Sequence, residues 1–497
     1  MATKRSWNIL ILNPLSMLGI LLAAAGFAAG VTLITLDSIG GFSNPYVGIF
    51  TYMVVPVILT AGLAFIALGA WRQRRRRLRA GHWDIAPLPT IDLNRPSHFA
   101  AVVSVVLVTI AFAAISSVGS YHAYNFTESV TFCGQICHTV MKPEYTAYHE
   151  SPHANVLCVK CHIGPGASWF VKAKISGLWQ VWAVLANDFH RPVETPITNL
   201  RPARETCEEC HWPAKFHQAT ELSHTYYRPD EKNSPWTIHM LMKIGGGNPS
   251  EGPVHGIHWH VSSGTTVEYL ATDQKRQTIP WVRVIDPKGG VKIYKTQDFD
   301  MSDADIAKTE VRTVDCIDCH NRPSHQYDSP DHALDIAMGR GLISPKIASI
   351  KTNASEALLG DYKTHDEALT TIADKLHKDY PDGGAEVEEA IKSVHAIYAG
   401  NFFPEMKVRW DEYPNNVGHL IFPGCFRCHD GEHYDEEGTP ISRECTKCHA
   451  ILAQGPGTNP TSECITPEGL DFVHPFEAHQ DDLKKRACDS CHDGTPM

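Results

Sequence analysis

The sequence predicts a membrane-anchored protein whose outer domain is mainly α-helical and irregular and carries a small β-meander insert. Three observations support this fold class. Apolar spans at Leu10–Leu36, Tyr46–Trp71 and Phe99–Val118 are each long enough to cross a bilayer as a helix. The motif C-x-x-C-H recurs along the rest of the chain. The stretch His255–Lys295 alternates apolar and polar residues around a "DPKGG" turn, as strands of a meander do.

Positive residues beside the spans predict the orientation in the membrane. Lys4 and Arg5 precede the first span, and the run Arg72–Arg79 follows the second. Positive residues stay on the cytoplasmic side, so Gly81–His98 is expected in the cytoplasm and everything after Ser120 outside. Beside a span, the Arg run indicates topology rather than nucleic-acid binding. A cleaved signal peptide is an alternative for the first span, but no A-x-A-like site follows a short apolar core.

Charge divides the chain in the same way. Residues 1–98 carry nine Lys/Arg and three Asp/Glu, a net charge of +6. The remainder carries 44 − 9 = 35 basic and 55 − 3 = 52 acidic residues, a net charge of −17. An acidic outer domain favours basic partner proteins, although it is equally compatible with plain solvation.

The C-x-x-C-H motif is the attachment sequence of c-type haem, in which two thiols bind the porphyrin and the histidine ligates the iron. Zinc sites and disulfides are the alternatives, but neither explains a histidine after every second cysteine. The six regular motifs contribute Cys158, Cys161 and His162; Cys207, Cys210 and His211; Cys316, Cys319 and His320; Cys425, Cys428 and His429; Cys445, Cys448 and His449; and Cys488, Cys491 and His492.

A seventh, irregular motif precedes the others. Cys133-Gly-Gln-Ile-Cys137-His138 has one residue more than the regular spacing. Counting it, fourteen of the 15 cysteines form seven pairs, and only Cys464 is left over. The sequence therefore predicts seven covalently attached haems. Since c-type haem is attached on the outer face of bacterial energy-transducing membranes, the motif-bearing part is expected in the periplasm, in agreement with the predicted topology.

Between the motif groups, the pattern predicts separate regions. Asp331–Ala399 contains no cysteine and shows helical spacing of its apolar residues, broken near Pro345 and at "YPDGG", which predicts three or so helices. Ser168–Asp188 predicts an amphipathic helix rich in Trp, suited either to a membrane interface or to packing on its own domain. The predicted divisions are 1–98 (two spans and the Arg-rich loop), 99–215 (third span, haems 1–3), 216–330 (β insert, fourth haem), 331–420 (helical spacer) and 421–497 (three haems).

From Phe99 to about Pro213 the chain resembles the NapC/NirT/NrfH family of membrane-anchored, quinol-oxidising multihaem cytochromes. A membrane helix is followed by "TESVTFCGQICHTVM", "YHESPHANVLCVKCH", a Lys-bearing helix and "CEECH". Stretches such as "GIHWH" and "GHLIFPGCFRCHDGEH" are similar to the inner-membrane heptahaem cytochromes of metal-reducing bacteria (ImcH type). The resemblance implies menaquinol as substrate, electron transfer to periplasmic c-type cytochromes and a place in the bacterial inner membrane.

The resemblance also implies roles for single residues. In the family, a methionine just after the first motif ligates the first iron; Met141 is its counterpart, but the spacing differs, so Met141 and His138 both remain candidates. The quinol-site lysine of the family corresponds to Lys174, with Lys172 as a neighbouring candidate. The acid near the first haem has no clear counterpart, and Asp188 is proposed for it. Both lysines can alternatively be residues that extend to the interface.

The second iron ligands are expected among the histidines outside the motifs. His153 matches a family ligand that serves the third haem. Position relative to the motifs adds His224, His260, His325, His419, His433 and His474. Pairs of histidines would give low-spin, electron-transferring haems.

The sequence thus predicts a menaquinol dehydrogenase that passes electrons to periplasmic acceptors. Two other functions remain open: a multihaem reductase of a small nitrogen or sulfur oxyanion, which needs an open iron away from the membrane, and a passive electron relay without its own quinol site.

Overall fold

The structure is a computed structural model that describes residues 8–40, 50–81, 92–136, 138–164, 166–197, 201–216, 219–247, 254–262, 264–460, 468–482 and 486–496. Cys464 lies outside these residues. The chain divides into two compact units, Met1–Ile136 and Cys137–Met497.

The first unit is helical where it is described. Its helices are α1 (Asn8–Ile11), α2 (Pro14–Gly40), α3 (Val55–Arg79) and α4 (Pro96–Thr127), with a π-helix at Phe50–Val54. Two stretches, Pro14–Leu36 and Val55–Arg79, are long and apolar enough to cross a membrane. Helix α3 begins nine residues after the start of the predicted second span, Tyr46–Trp71. It continues through the Arg run, because Arg is a good helix former. The third predicted span lies within α4 and stays a prediction.

Helices α2 and α3 pack through small residues. A Cβ atom at Gly19 would lie 2.6 Å from the carbonyl oxygen of Gly62, so the two backbones touch at this point. Ser16 Oγ donates a hydrogen bond of 3.1 Å to the carbonyl oxygen of Ile66 in the facing helix. Small residues that allow close approach and hydroxyls that bond across helices are typical of packing inside a bilayer.

The second unit contains ten α-helices among its described residues. They are α5 (His138–Glu150), α6 (Cys158–His162), α7 (Ala167–Ala186), α8 (Ala203–Cys207), α9 (Asp303–Ile306), α10 (Cys316–Cys319), α11 (Pro330–Gly339), α12 (Ile350–Leu358), α13 (His365–Asp379) and α14 (Gly384–Asn401).

Two small antiparallel sheets accompany these helices. The strands are β1 (Thr220–Tyr227), β2 (Pro235–Met242), β3 (Thr266–Leu270), β4 (Trp281–Ile285), β5 (Val291–Lys295), β6 (Arg312–Thr313) and β7 (His449–Pro456). One sheet has the order β5-β4-β3-β6, and three of its strands lie in the stretch predicted as a meander. The other has the order β1-β2-β7. Because β7 begins at His449, this second sheet joins the middle of the chain to the sixth motif.

Helices α11–α14 form the main apolar core. Leu334, Leu358, Ile372 and Leu376 are fully buried in it, as their helical spacing requires. The sequence predicts three or so helices here and the structure has four, because the chain is also interrupted between α12 and α13. Val140 and Ala147 of α5 belong to the same core, so the helix after the first motif is held against this bundle.

Candidate haem centres

The six regular motifs each form one short helical turn. Three of them lie in or at the end of α6, α8 and α10, and the others begin or contain 3-10 helices at Gly424–Arg427, Cys445–Lys447 and Cys488–Ser490. Positions i and i+3 face the same side of such a turn, so both thiols of a motif point the same way. In four motifs the histidine N–H donates to the carbonyl oxygen of the first cysteine; the donors are those of His211, His320, His429 and His492, at 2.8–3.0 Å.

Each regular motif histidine lies opposite one further histidine. Metal–imidazole bonds are about 2.0–2.1 Å long, so two rings on opposite sides of one metal have centres about 6 Å apart. The ring-centre separations are His162–His325 6.2 Å, His211–His153 6.1 Å, His320–His258 6.2 Å, His429–His260 5.8 Å, His449–His419 6.3 Å and His492–His474 6.1 Å. The recurrence of one spacing at all six motifs fits six irons held between imidazoles.

Hydrogen bonds orient these rings. A backbone carbonyl can only accept, so an Nδ1 atom that faces one must carry the proton and leave the Nε2 lone pair for a metal. The Nδ1 atoms and their carbonyl partners are His153 with Pro323 (3.2 Å), His258 with Ile244 (3.1 Å), His260 with Ile257 (2.8 Å), His325 with Glu144 (3.0 Å) and His429 with Ser442 (2.8 Å). These side chains therefore present the ligand tautomer that haem iron requires.

Burial also keeps the rings in the ligand form. Burial lowers the pKa of His325 to about 4, with a smaller contribution from the positive charge of Arg322. It likewise lowers the pKa of His260, which is half-buried. Because a neutral imidazole is the form that binds metal, these rings are ready to ligate iron at neutral pH.

Five of the predicted second ligands thus face a motif histidine: His153, His260, His325, His419 and His474. The sequence reasoning missed His258, which faces His320. His258 and His260 both lie in the 3-10 helix Ile257–Val261, and each faces a different motif. The stretch "GIHWH" contained the signal for this second ligand, because it has two histidines two residues apart. Six regular motifs also require six second histidines.

His433 was also predicted as an iron ligand, and this prediction is wrong. Its side chain is 1% exposed and both ring nitrogens are engaged, Nδ1 with Asp430 Oδ1 at 2.9 Å and Nε2 with the carbonyl oxygen of Ile279 at 2.5 Å. Although burial by itself would lower its pKa, the hydrogen bonds to Asp430 and Ile279 raise it. His433 is a structural link between the fifth motif and the β insert, with no nitrogen left for a metal.

His224, the remaining predicted ligand, faces none of the six regular motif histidines, all of which the structure describes. Its ring centre lies 5.9 Å from that of His332, which is also outside the motifs.

The irregular first motif is described only in part. Cys133 lies in a π-helix, Phe132–Ile136, whose wider turn accommodates one extra residue. Cys137 and the side chain of His138 lie outside the described residues. Met141 lies one turn into α5 and is half-buried. Both Met141 and His138 remain candidate ligands of the first iron.

The predicted quinol-site residues are on and after α7. Lys174 is half-buried, whereas Lys172 is exposed, with its Nζ atom 4.7 Å from the centre of the Trp169 ring. Asp188 follows the helix and is exposed. One face of α7 presents large apolar side chains that are 59–67% exposed: Ile175, Leu178, Trp179, Trp182 and Leu185.

Consecutive motifs from the second to the seventh are neighbours in space. The Arg427 guanidinium of the fifth motif donates to the carbonyl oxygen of Asp318 in the fourth at 2.7 Å. Thiols of successive motifs lie within hydrogen-bonding or electrostatic range of one another: Cys161 with Cys207 and Cys210, Cys207 with Cys316, Cys319 with Cys425 and Cys428, Cys425 with Cys448, and Cys445 with Cys488. The six motifs therefore form one series in chain order.

Comparison with known proteins shows which family has these motifs. Residues 95–221 match the model of the NapC/NirT cytochrome c family, N-terminal region. The chain is also 43% identical, over 488 residues, to the cytochrome c-type protein ImcH of Geobacter sulfurreducens, across 97% of this chain and 95% of that protein. The chain belongs to the NapC/NirT cytochrome c family. No solved structure matches it.

Membership of the NapC/NirT family confirms the resemblance seen in the sequence, including that to the ImcH-type subgroup. It makes the protein a membrane-anchored multihaem c-type cytochrome of electron transport, and an oxidoreductase in that broad sense. The family match covers α4 and the first three motifs, whereas the similarity to ImcH continues through the remaining four.

Proposed function

We propose that the protein is an inner-membrane heptahaem cytochrome that oxidises menaquinol and delivers the electrons to c-type cytochromes in the periplasm. The observation that carries the proposal is the unbroken series of six imidazole pairs, each beside a pair of cysteines. The irregular motif at Cys133 and Cys137 would hold the seventh haem. When bound, the haems supply one-electron centres through which the two electrons of a quinol are passed on singly.

The chain itself must supply a place for the quinol. The exposed apolar face of α7 has the Trp and Leu side chains that favour the boundary between lipid and water. Lys174 is half-buried beside this face. We propose that α7 lies on the outer surface of the membrane, where a lipid-soluble quinol can reach Lys174.

Quinol oxidation releases two protons together with the two electrons, so a group that accepts or hydrogen-bonds the hydroxyl proton is required. The Nζ atom of Lys174 is proposed for this role. Lys172 is the less suitable candidate, because it is exposed and its Nζ atom lies over Trp169. Asp188 is exposed just after the helix, where it would pass protons to water.

The ligand set also bears on the alternatives. An oxyanion reductase needs an iron with an open position, whereas each of the six regular motif histidines has a second imidazole opposite it. This supports electron transfer at those six sites. The first motif, with Met141 or His138 on one side, would be the open centre facing the quinol.

The predicted partners follow from charge. The region after His98 has a net charge of −17, from 35 basic and 52 acidic residues. Opposite charge raises the rate at which an electron-transfer partner docks. We therefore propose small basic periplasmic cytochromes as the acceptors.

The experiment is reduction of the purified full-length protein by a menaquinol analogue. Lys174→Met should slow quinol-driven reduction by about 10²-fold or more, the usual contribution of a positioned proton acceptor, and leave reduction by dithionite unchanged. Lys346→Met, at an exposed lysine in the connection between α11 and α12, is the matched control. Absence of quinol-driven reduction in the wild-type protein would favour the passive relay, and unchanged kinetics in Lys174→Met would exclude that residue.

A further inference from the structure

Among the described residues, His224 and His332 form a pair in which neither ring belongs to a regular motif or faces a regular motif histidine. The ring centres of His224 and His332 lie 5.9 Å apart, within the range of 5.8–6.3 Å seen at the six motif pairs. Neither residue follows a cysteine pair, and each regular motif histidine already faces another partner. The spacing therefore needs an explanation that does not involve the covalent haems.

We propose that His224 and His332 form a binding site for one divalent transition-metal ion, such as Zn²⁺ or Cu²⁺, beside the seventh motif. Imidazole is a favoured ligand of both ions. Metal–nitrogen bonds of about 2.0–2.1 Å on opposite sides of an ion would put the ring centres slightly more than 6 Å apart, so a separation of 5.9 Å corresponds to a bent arrangement.

Two elements of the fold hold the pair. His224 lies on β1, where Tyr226 follows two residues later and so projects to the same side. His332 lies in the first turn of α11, where its backbone N–H donates to Ser329 Oγ. Burial, and to a smaller extent the charge of His332, lower the pKa of His224, which keeps its ring in the neutral form that binds metal.

A carboxylate stands beside the pair. Asp328 Oδ1 lies 3.9 Å from His332 Nε2, too far for a hydrogen bond but close enough to add negative charge near the ion. Among the described residues, no three His, Cys, Asp or Glu side chains converge closely enough to form a complete ligand set. The two imidazoles are therefore the protein ligands, and water molecules would complete the coordination.

The site adjoins the last motif of the series. The N–H of Asp331, the residue before His332, donates to the carbonyl oxygen of Gly494 at 3.1 Å. Asp331 also interacts electrostatically with His492, and Tyr226 with Cys488. A divalent cation held here would favour the more electron-rich state of the seventh centre by Coulomb attraction. The proposed role is to tune the last step of electron transfer.

The test is titration of Zn²⁺, which is redox-inert, into the purified full-length holoprotein, followed by calorimetry. One site per chain is expected, and it should disappear in both His224→Gln and His332→Ala. The control His377→Ala removes an exposed histidine on α13 that is paired with Glu388 and should leave the site intact. Unchanged covalent haem content would show that the variants fold.

A potentiometric titration gives the second readout. Zn²⁺ should raise the midpoint potential of one haem in the wild-type protein and in His377→Ala, but not in the two site variants. The proposal is overturned if the wild-type protein binds no Zn²⁺ or if both site variants bind it as the wild type does. It is also overturned if acid–acetone extraction releases one non-covalent haem per chain, because haem would then occupy the site.

Discussion

The helical bundle α11–α14 and the C-terminal haem region, residues 421–497, are built on different principles. The bundle buries complete apolar side chains such as Leu334 and Ile372. In the described part of the haem region, the buried apolar side chains are Ala450, Ile451 and Ala453, all in β7. Outside β7, its regular structure consists of short 3-10 turns. Because porphyrins would supply most of the interior there, only the bundle should be stable without cofactor.

The largest expected effect comes from removing a haem attachment. In the double variant Cys425→Ala/Cys428→Ala the fifth haem cannot be attached, so the packing that depends on it is lost. Limited proteolysis should then degrade residues after about 420 rapidly and leave a stable fragment containing the bundle. Cys464→Ala, at the one cysteine outside the motifs, should leave both haem content and the proteolysis pattern as in the wild type. If the bundle were degraded as rapidly as the haem region in the double variant, the claim that only the bundle is stable without haem would be wrong.

Within the bundle, the next largest effect is expected at a buried charge. Lys351 is almost fully buried, with its Nζ atom 2.6 Å from Asp331 Oδ1 and 2.7 Å from Asp335 Oδ1. Lys351→Met would leave these carboxylates uncompensated, at a cost of about 3–5 kcal/mol in the free energy of unfolding. Urea denaturation followed by circular dichroism measures this, with the exposed Lys346→Met expected to change little.

A core truncation should have a similar or smaller effect. Ile372→Ala removes a fully buried side chain from α13, and we expect it to destabilise the bundle by about 2–5 kcal/mol through lost burial and the cavity left behind. Because the motifs do not depend on this side chain, the haem spectra should not change. An altered low-spin spectrum in this variant would mean that the bundle and the haem ligands are coupled more closely than the comparison implies.

The smallest expected effect lies in the haem region and depends on pH. The hydrogen bonds to Asp430 and Ile279 raise the pKa of His433 above its ordinary value, even though burial acts in the opposite direction. A raised pKa contributes stability that is fully present below the unfolded value of about 6.5 and is lost as pH rises through the folded value. His433→Gln should abolish that dependence.

The denaturation midpoint would be compared at pH 6 and pH 8 for the wild type, His433→Gln and the exposed control His377→Gln. An unchanged pH dependence in His433→Gln would show that the ion pair with Asp430 does not form in solution.

Local patterns were sufficient for much of the fold. The apolar spans correspond to helices long enough to cross a membrane at Pro14–Leu36 and Val55–Arg79. The alternating stretch His255–Lys295 contains β3, β4 and β5, and the periodic stretch Asp331–Ala399 contains helices of the bundle. These elements follow from contacts between residues close in sequence. The sheet β1-β2-β7 was not predictable in that way, because β7 pairs with a strand from a distant part of the chain.

At the six regular motifs, the sequence predicted one of the two proposed iron ligands and left the other to the tertiary structure. By itself the sequence determined the family and the seven cysteine pairs, each with a histidine after it, because the residues of one motif are adjacent in the chain. Only the tertiary structure decided that His258 faces His320, and that His433 is engaged by Asp430 and Ile279. An imidazole outside a motif is chemically the same wherever it stands. Its role is decided by which segments of the chain pack around it.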